Sequence, residues 1–266
     1  METVALVFGN SCLKKNSSLL GFPPKFNPLH GYVHPFRYPR GVASLPEHLK
    51  PIPPSRRKLP AEVREEHQRA RVLEAAIGIF AEKGYGATTV DDLVAGAKMG
   101  VGSFYAHFEG KEECLLAAHR QLVAEAQSTV VEAGAKGSSW AEQVCLGLQA
   151  LLEWVANRPA GAKVALVEVQ TGGPKALAQY QEALAAPAEF LRGGRNSPAR
   201  TQRLPESLEQ TTVSGIAWLL HRRLSMGEAD SVPDLFEELA VLIMEPYLGE
   251  KAARKALAAG ALASAS

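Results

Sequence analysis

The sequence predicts an all-α protein: a three-helix head carrying a helix-turn-helix, then a larger helical body, the whole preceded by a disordered, proline-rich basic arm. Three observations predict it. Apolar residues recur at helical spacing beyond residue 60, beginning with Leu73, Ile77 and Phe80 at i, i+4 and i+7. Helix punctuation separates these stretches, with glycine at Gly84 and Gly134 and proline at Pro159 and Pro174. No segment after residue 60 shows the alternation of a credible strand. The boundaries are an arm over 1–60, the head over 61–110, the body over 111–250 and an alanine-rich tail over 251–266.

The head is the stretch on which the rest depends. Its first helix starts near Arg64 and stops at Gly84, a residue type that accepts the backbone of a C-terminal cap. Thr88 or Thr89 offers a hydroxyl N-cap to a second helix, with Asp91 and Asp92 placed for a variant of the capping box. Val90, Leu93 and Val94 face inward, and Ala95-Gly96-Ala97 is small enough to turn tightly. Gly100 to Phe108 forms another short helix, with Phe104 and Phe108 four apart. Two short helices joined by a small-residue turn have the geometry that lays the second in a DNA major groove.

The string from Arg71 to Ala118 closely resembles the DNA-binding domain of TetR/AcrR-type transcriptional regulators. Gly-Tyr-Gly-Ala-Thr-Thr-Val, Gly-Ser-Phe-Tyr-x-His-Phe and Lys-Glu-x-x-Leu carry the resemblance, together with the Ala-Phe-like face of the first helix. It implies DNA contacts at Thr88 or Thr89, Gly100, Val101, Ser103, Tyr105, His107 and Lys111. Side-chain chemistry agrees with these roles. Thr89 near a helix N-terminus can donate to a phosphate, and Tyr105 and His107 carry donors for backbone oxygens. Lys111 opens the next helix, where a cation sits badly against the helix dipole and a bound phosphate would relieve it. Ser103 can bond a base edge and the Val101 methyls can meet a thymine methyl. Leu93, Met99, Phe104 and Phe108 are read as core.

Two positions depart from the family pattern. Lys98 stands where the turn usually carries glycine, and a left-handed lysine costs on the order of 1 kcal/mol. Gly100 replaces the usual serine or threonine cap and is a weaker one. The helix also lacks Arg, Asn and Gln, so discrimination leans on methyl contacts, DNA shape and half-site spacing.

Composition narrows the remaining choices. The chain has 266 residues, 46% hydrophobic, with a net charge of +1. That balance hides an asymmetry: residues 1–60 hold nine Lys/Arg against two Asp/Glu, and the rest holds 20 against 26. Residues 1–60 also contain more than half of the 17 prolines, which defeats any helical or strand period. Arg56-Arg57-Lys58 is the part of this arm most able to touch phosphate. The alternative is an appendage without a role, or a start set too far upstream. His30 and His34 lie between Pro28 and Pro35, so neither a helix nor a metal site is expected there. Cys12, Cys114 and Cys145 are odd in number and far apart, which suits a reducing cytoplasm rather than a disulfide framework. Lys14 and Lys15 follow the short apolar start instead of preceding it, so no secretory signal is expected, and no apolar run is long enough for a membrane span.

In the body, helices are predicted over Lys111–Ala133, from a cap at Ser138 or Ser139 to Asn157 (with a Ser139–Glu142 capping box), Lys163–Gln170, Pro174–Leu191, Glu206–Met226 and Pro233–Leu248. The resemblance implies dimerisation through the last two and a small-molecule pocket. Thr211–Ala217 is rich in small residues and suits a close two-fold helix contact, so Thr211, Ser214, Gly215, Trp218, Leu235 and Leu239 are the expected interface. Leu148, Leu152, Trp154, Val167, Tyr180, Leu184 and Trp218 are the expected pocket lining, for an apolar or amphipathic effector. The partners are therefore double-stranded DNA, a second copy and an unknown small molecule, with no cofactor and no membrane. A helical enzyme is the reading from another class, but no nucleophile–base pair, phosphate loop or ligand cluster is present in the sequence. An interaction module that kept the fold without binding DNA is the third reading.

Overall fold

The computed structural model describes residues 60–197 and 203–263. The arm with His30, His34, Cys12 and Arg56-Arg57-Lys58 lies outside these residues. Among those described the chain is helical, without strands. The order is α1 (Ala61–Lys83), α2 (Val90–Gly96), α3 (Val101–Tyr105), α4 (Lys111–Gly134), α5 (Trp140–Asn157), α6 (Pro159–Leu166), α7 (Pro174–Ala183), α8 (Ala185–Arg192), α9 (Leu208–Ser225), α10 (Phe236–Leu248) and α11 (Glu250–Ala263). Short 3-10 turns at Glu168–Thr171, Gly193–Asn196 and Ala229–Leu235 join them.

Local chemistry accounts for the boundaries. Gly84 closes α1 at φ 80°, its amide donating to the Phe80 carbonyl. Thr89 is the N-cap of α2, and its hydroxyl and the Asp92 carboxylate form the reciprocal capping box. Lys83 pairs with Asp92 at 2.7 Å. With the two Thr89 donors, that contact draws the Asp92 carboxyl down to about 2. Ser139 caps α5 by accepting from the Glu142 amide. The Glu142 carboxylate turns instead to the amide and hydroxyl of Ser138, 2.8 and 2.6 Å away. Pro174 opens α7 at its first turn. The helix predicted to run on to Leu191 breaks at Leu184, where α8 begins. The predicted Lys163–Gln170 helix starts earlier, at Pro159, and ends as a 3-10 turn.

Two apolar clusters hold the chain. The first joins Leu73, Ile77 and Phe80 of α1 to Leu93, Phe104 and Phe108, and continues into Leu115 and Leu122 of α4 and Val164 of α6. The head therefore shares its core with the body. A side chain at Gly96 would meet Ile79 Cδ1 at 2.7 Å, so glycine there permits the close approach of α1 and α2. The second cluster gathers α5, α9 and α10 around Leu152, Val155, Leu220, Leu239 and Met244. Glu209, 1% exposed in that region, is held by Arg195 at 2.6 Å and by the Tyr247 hydroxyl at 2.9 Å. A buried carboxylate needs such partners. Trp154 packs on both clusters.

Candidate nucleic-acid interface and regulatory body

The site is built by a turn. α2 ends at Gly96, and Lys98 adopts φ 51°, the left-handed residue expected from its place in the sequence. The Lys98 and Met99 amides donate back to Ala95 and Val94 at 3.1 and 3.0 Å, satisfying carbonyls the helix end leaves free. Gly100, at φ −79° and ψ 151°, begins α3 as a cap without a side-chain bond. Phe104 is fully buried and anchors α3 to the head, its ring edge-on to Tyr105 at 5.4 Å. The other side of α3 faces solvent. Val101 is 46% and Tyr105 55% exposed, and Gly100 is exposed beside them. Ser103 and His107 are half-buried and line a cleft with Glu65 and Gln68 of α1. Those two α1 residues did not stand out in the sequence, because nothing local to α1 signals that its first turns lie beside α3.

Three expected contacts need correction. Thr88 is 2% exposed, and its hydroxyl donates to the Gly84 carbonyl at 2.8 Å. It holds the α1–α2 loop and is closed to a ligand. Thr89 is exposed, but its hydroxyl donates to Asp92 at 2.8 Å, so the capping box has taken the proton meant for a phosphate. Lys111 does not extend outward. Its ammonium donates to the carbonyls of Tyr85 and Thr88, each at 2.8 Å, and lies 4.3 Å from the centre of the Tyr85 ring. Three carbonyls of one loop, with Gly86 at 3.4 Å, relieve the dipole mismatch that a phosphate was expected to relieve.

The body also redistributes the expected residues. Thr211, Ser214, Gly215 and Trp218 form one exposed stripe on α9, with Trp218 62% exposed and open space beside Gly215. Ala217, the last residue of the small-residue run expected to suit a close helix contact, is buried. Leu235 and Leu239 are 7% and 2% exposed within the second cluster, so they serve packing inside the chain and are not available to a partner. Leu242 of α10, 55% exposed, is the apolar residue that α10 turns outward.

The expected pocket residues do not surround one cavity. Leu148 and Leu152 are buried in the second cluster, where Val167 and Leu184 also pack; Tyr180 packs on the first; Trp218 faces solvent. Leu152 alone borders a cleft of about 510 Å³ between α5, the Ala229–Leu235 turn, α10 and α11. Phe236 and Leu257 give that cleft an apolar wall, and Glu153, Glu237 and Arg254 lie at its edge.

Head and body are tied by polar contacts of Lys163, Glu168 and Arg158 that the sequence did not reveal, because their partners in the head are about 80 residues away. Lys163 of α6 donates to the Ala81 carbonyl at 2.7 Å. The buried Glu168 carboxylate accepts from the Tyr85 amide at 2.8 Å. Arg158 pairs with Glu74 of α1 at 3.3 Å and Glu125 of α4 at 2.9 Å. The thiols of Cys114 and Cys145 are buried, and desolvation raises them to about 12 and about 11, which keeps them protonated and unreactive. Among the described residues no group of three or more metal-ligating side chains converges, and no helix is long and apolar enough to cross a membrane.

A five-residue helix, offered to solvent by a tight turn from a trihelical head, defines the helix-turn-helix class. Residues 72–118 match the sequence model of the family described as bacterial regulatory proteins, tetR family. Over these residues the head is similar to the DNA-binding domain of that family. Over 46 residues it is 50% identical to the HTH-type transcriptional repressor KstR2 of Mycobacterium tuberculosis, a match covering 17% of this chain and 23% of that one. The chain matches less than a quarter of the length of each of its curated relatives. The fold is similar over a longer span to two solved structures. The fatty acid degradation regulator FadR from Bacillus halodurans has a TM-score of 0.60 at 16% identity, covering 66% of this chain and 94% of that one. FadR from Bacillus subtilis in complex with stearoyl-CoA has a TM-score of 0.59 at 17% identity, covering 68% and 98%.

Proposed function

We propose that the protein is a cytoplasmic transcriptional repressor that binds a palindromic DNA operator as a homodimer and is released by an apolar or amphipathic small molecule. One observation carries the DNA-binding part: α3 buries Phe104 and leaves Val101 and Tyr105 in solvent at the outer face of the head. Large apolar side chains in so short a helix need a reason to stay exposed, and a major groove supplies one. Val101 meets a thymine methyl, Tyr105 and His107 donate to the phosphate backbone, and Ser103 reaches a base edge. Thr89 contributes through its backbone position, since its hydroxyl is engaged. The exposed stripe of Thr211, Ser214, Gly215 and Trp218, joined by Leu242, is the two-fold interface. Open space beside Gly215 lets a second helix approach closely.

Release follows from differential binding: an effector lowers DNA affinity only by favouring a head arrangement that DNA does not. The cleft beside Leu152 has the mixed wall an amphipathic molecule requires, and the stearoyl-CoA bound to the B. subtilis protein is a molecule of that kind. The contacts of Lys163 with Ala81 and of Glu168 with Tyr85 are the route by which a shift in the body reaches the head.

The test is a fluorescence-anisotropy titration of the DNA upstream of the protein's own gene, at two salt concentrations. The parent binds specifically with steep salt dependence, and Tyr105→Ala weakens it by about tenfold or more. Equal affinity for parent and variant would overturn the placement of α3. Absence of any specific complex would favour a module that keeps the fold without reading DNA.

A further inference from the structure

We propose that Arg71 is the positioning residue of the helix-turn-helix: buried beneath the α2–α3 turn, its guanidinium holds the turn in the one conformation that presents α3 to DNA. This rests on the DNA-binding reading above and adds to it a residue that touches neither DNA nor effector.

Arg71 sits on α1 among Val72, Leu73 and Ala75, and is 5% exposed. Its Nη2 donates to the carbonyl of Ala97, the cap of α2, and to that of Lys98 at 3.0 Å. No carboxylate among the described residues pairs with it, and its buried Nε has no hydrogen-bond partner among them. A cation placed this way is a poor device for stability, because an apolar side chain of similar size would fill the space without the desolvation cost. What the guanidinium provides is direction. Two carbonyls at the negative end of α2 are fixed on a rigid, planar donor carried by α1.

The turn needs that fixing. Lys98 is the one non-glycine residue at positive φ among the described residues, so its backbone prefers another conformation. α3 has no side-chain cap, five residues and one buried side chain, and cannot hold its own orientation. A reading helix tolerates only about 0.5 Å of misplacement. Arg71 bonds the carbonyl of the strained residue itself and that of its neighbour, three and four residues ahead of Val101.

The test introduces Arg71→Met into two backgrounds, the parent and a Lys98→Gly variant, since glycine relaxes the turn. In the parent background Arg71→Met lowers specific affinity by about tenfold while leaving affinity for unrelated DNA nearly unchanged. In the Lys98→Gly background the same substitution costs markedly less, so the two sites are coupled. A purely structural role would lower both affinities together and show no coupling, and either result overturns the proposal. Arg71→Lys, which keeps the charge but not the fork, falls between parent and Arg71→Met; a lysine variant equal to the parent would also overturn it. Hydrogen exchange in the free protein separates this proposal from the DNA-binding reading. Arg71→Met accelerates exchange of the Lys98 and Met99 amides while the α4 amides stay protected. A parent that binds no DNA but shows this pattern refutes the function and keeps the turn device. Unchanged exchange refutes the device.

Discussion

His119 makes the stability of this fold depend on pH in a direction that can be calculated. It lies on α4, 1% exposed, within the apolar surroundings that join head and body. Its Nδ1 accepts from Gln179 Nε2 at 2.7 Å, and that amide also donates to the Leu116 carbonyl. Burial, opposed by a carbonyl contact from Ala165 and aided by the nearby Arg120 cation, lowers the imidazole from 6.5 to about 4. The folded protein therefore holds His119 neutral where the unfolded chain has already taken up a proton. Its contribution is complete above about pH 7, declines as pH falls through 6.5, and levels off below about 4. Linkage gives a loss of about 2 kcal/mol between pH 7.5 and 5.0 from this group alone. Urea unfolding of the parent and of His119→Gln at both pH values measures it: the difference in stability between the two proteins shrinks by about that amount at the lower pH. An NMR titration of the ring reads the pKa directly. A His119 that titrates near 6.5, or a difference between the proteins that does not change with pH, would refute the reasoning.

Two further outcomes follow from the corrected site and interface. Lys111→Ala removes two short charge-assisted bonds and a ring contact from the loop after α1, and lowers stability by about 2 kcal/mol in chemical denaturation; an unchanged denaturation midpoint with reduced DNA affinity would return Lys111 to the phosphate backbone. Gly215→Glu places a charge in the open α9 stripe and yields a folded monomer in sedimentation, whereas a persistent dimer would move the interface elsewhere.

Features that depend on a few neighbouring residues were readable from the sequence. A hydroxyl cap at Thr88 or Thr89 with an acidic partner, a serine cap at the start of α5 and the proline opening α7 each follow from local residue types, while the left-handed Lys98 follows from the family resemblance of the turn. Features that depend on the third dimension were not. Apolar spacing marks Leu235, Leu239 and Leu242 alike, and only the packing of α10 shows that Leu242 is the one turned outward. The same limit applies to Lys111. Its charge at a helix start correctly indicated an unmet need, but the acceptors lay on a loop some 25 residues back in the chain rather than on a ligand. Arg71 was hidden for the opposite reason. A cation beside an apolar stripe reads as solvated, and its burial becomes visible only when the α2 carbonyls are placed above it. Trp218 was assigned to two roles at once, and its exposure leaves it only the one on the surface.

The central claim is that two copies of this head read one duplex through α3. Hydroxyl-radical footprinting on the upstream DNA addresses it most directly. The account predicts two protected segments related by two-fold symmetry and centred about one helical turn apart, both lost together on Tyr105→Ala. A single unpaired footprint, or protection that survives that substitution, would contradict it.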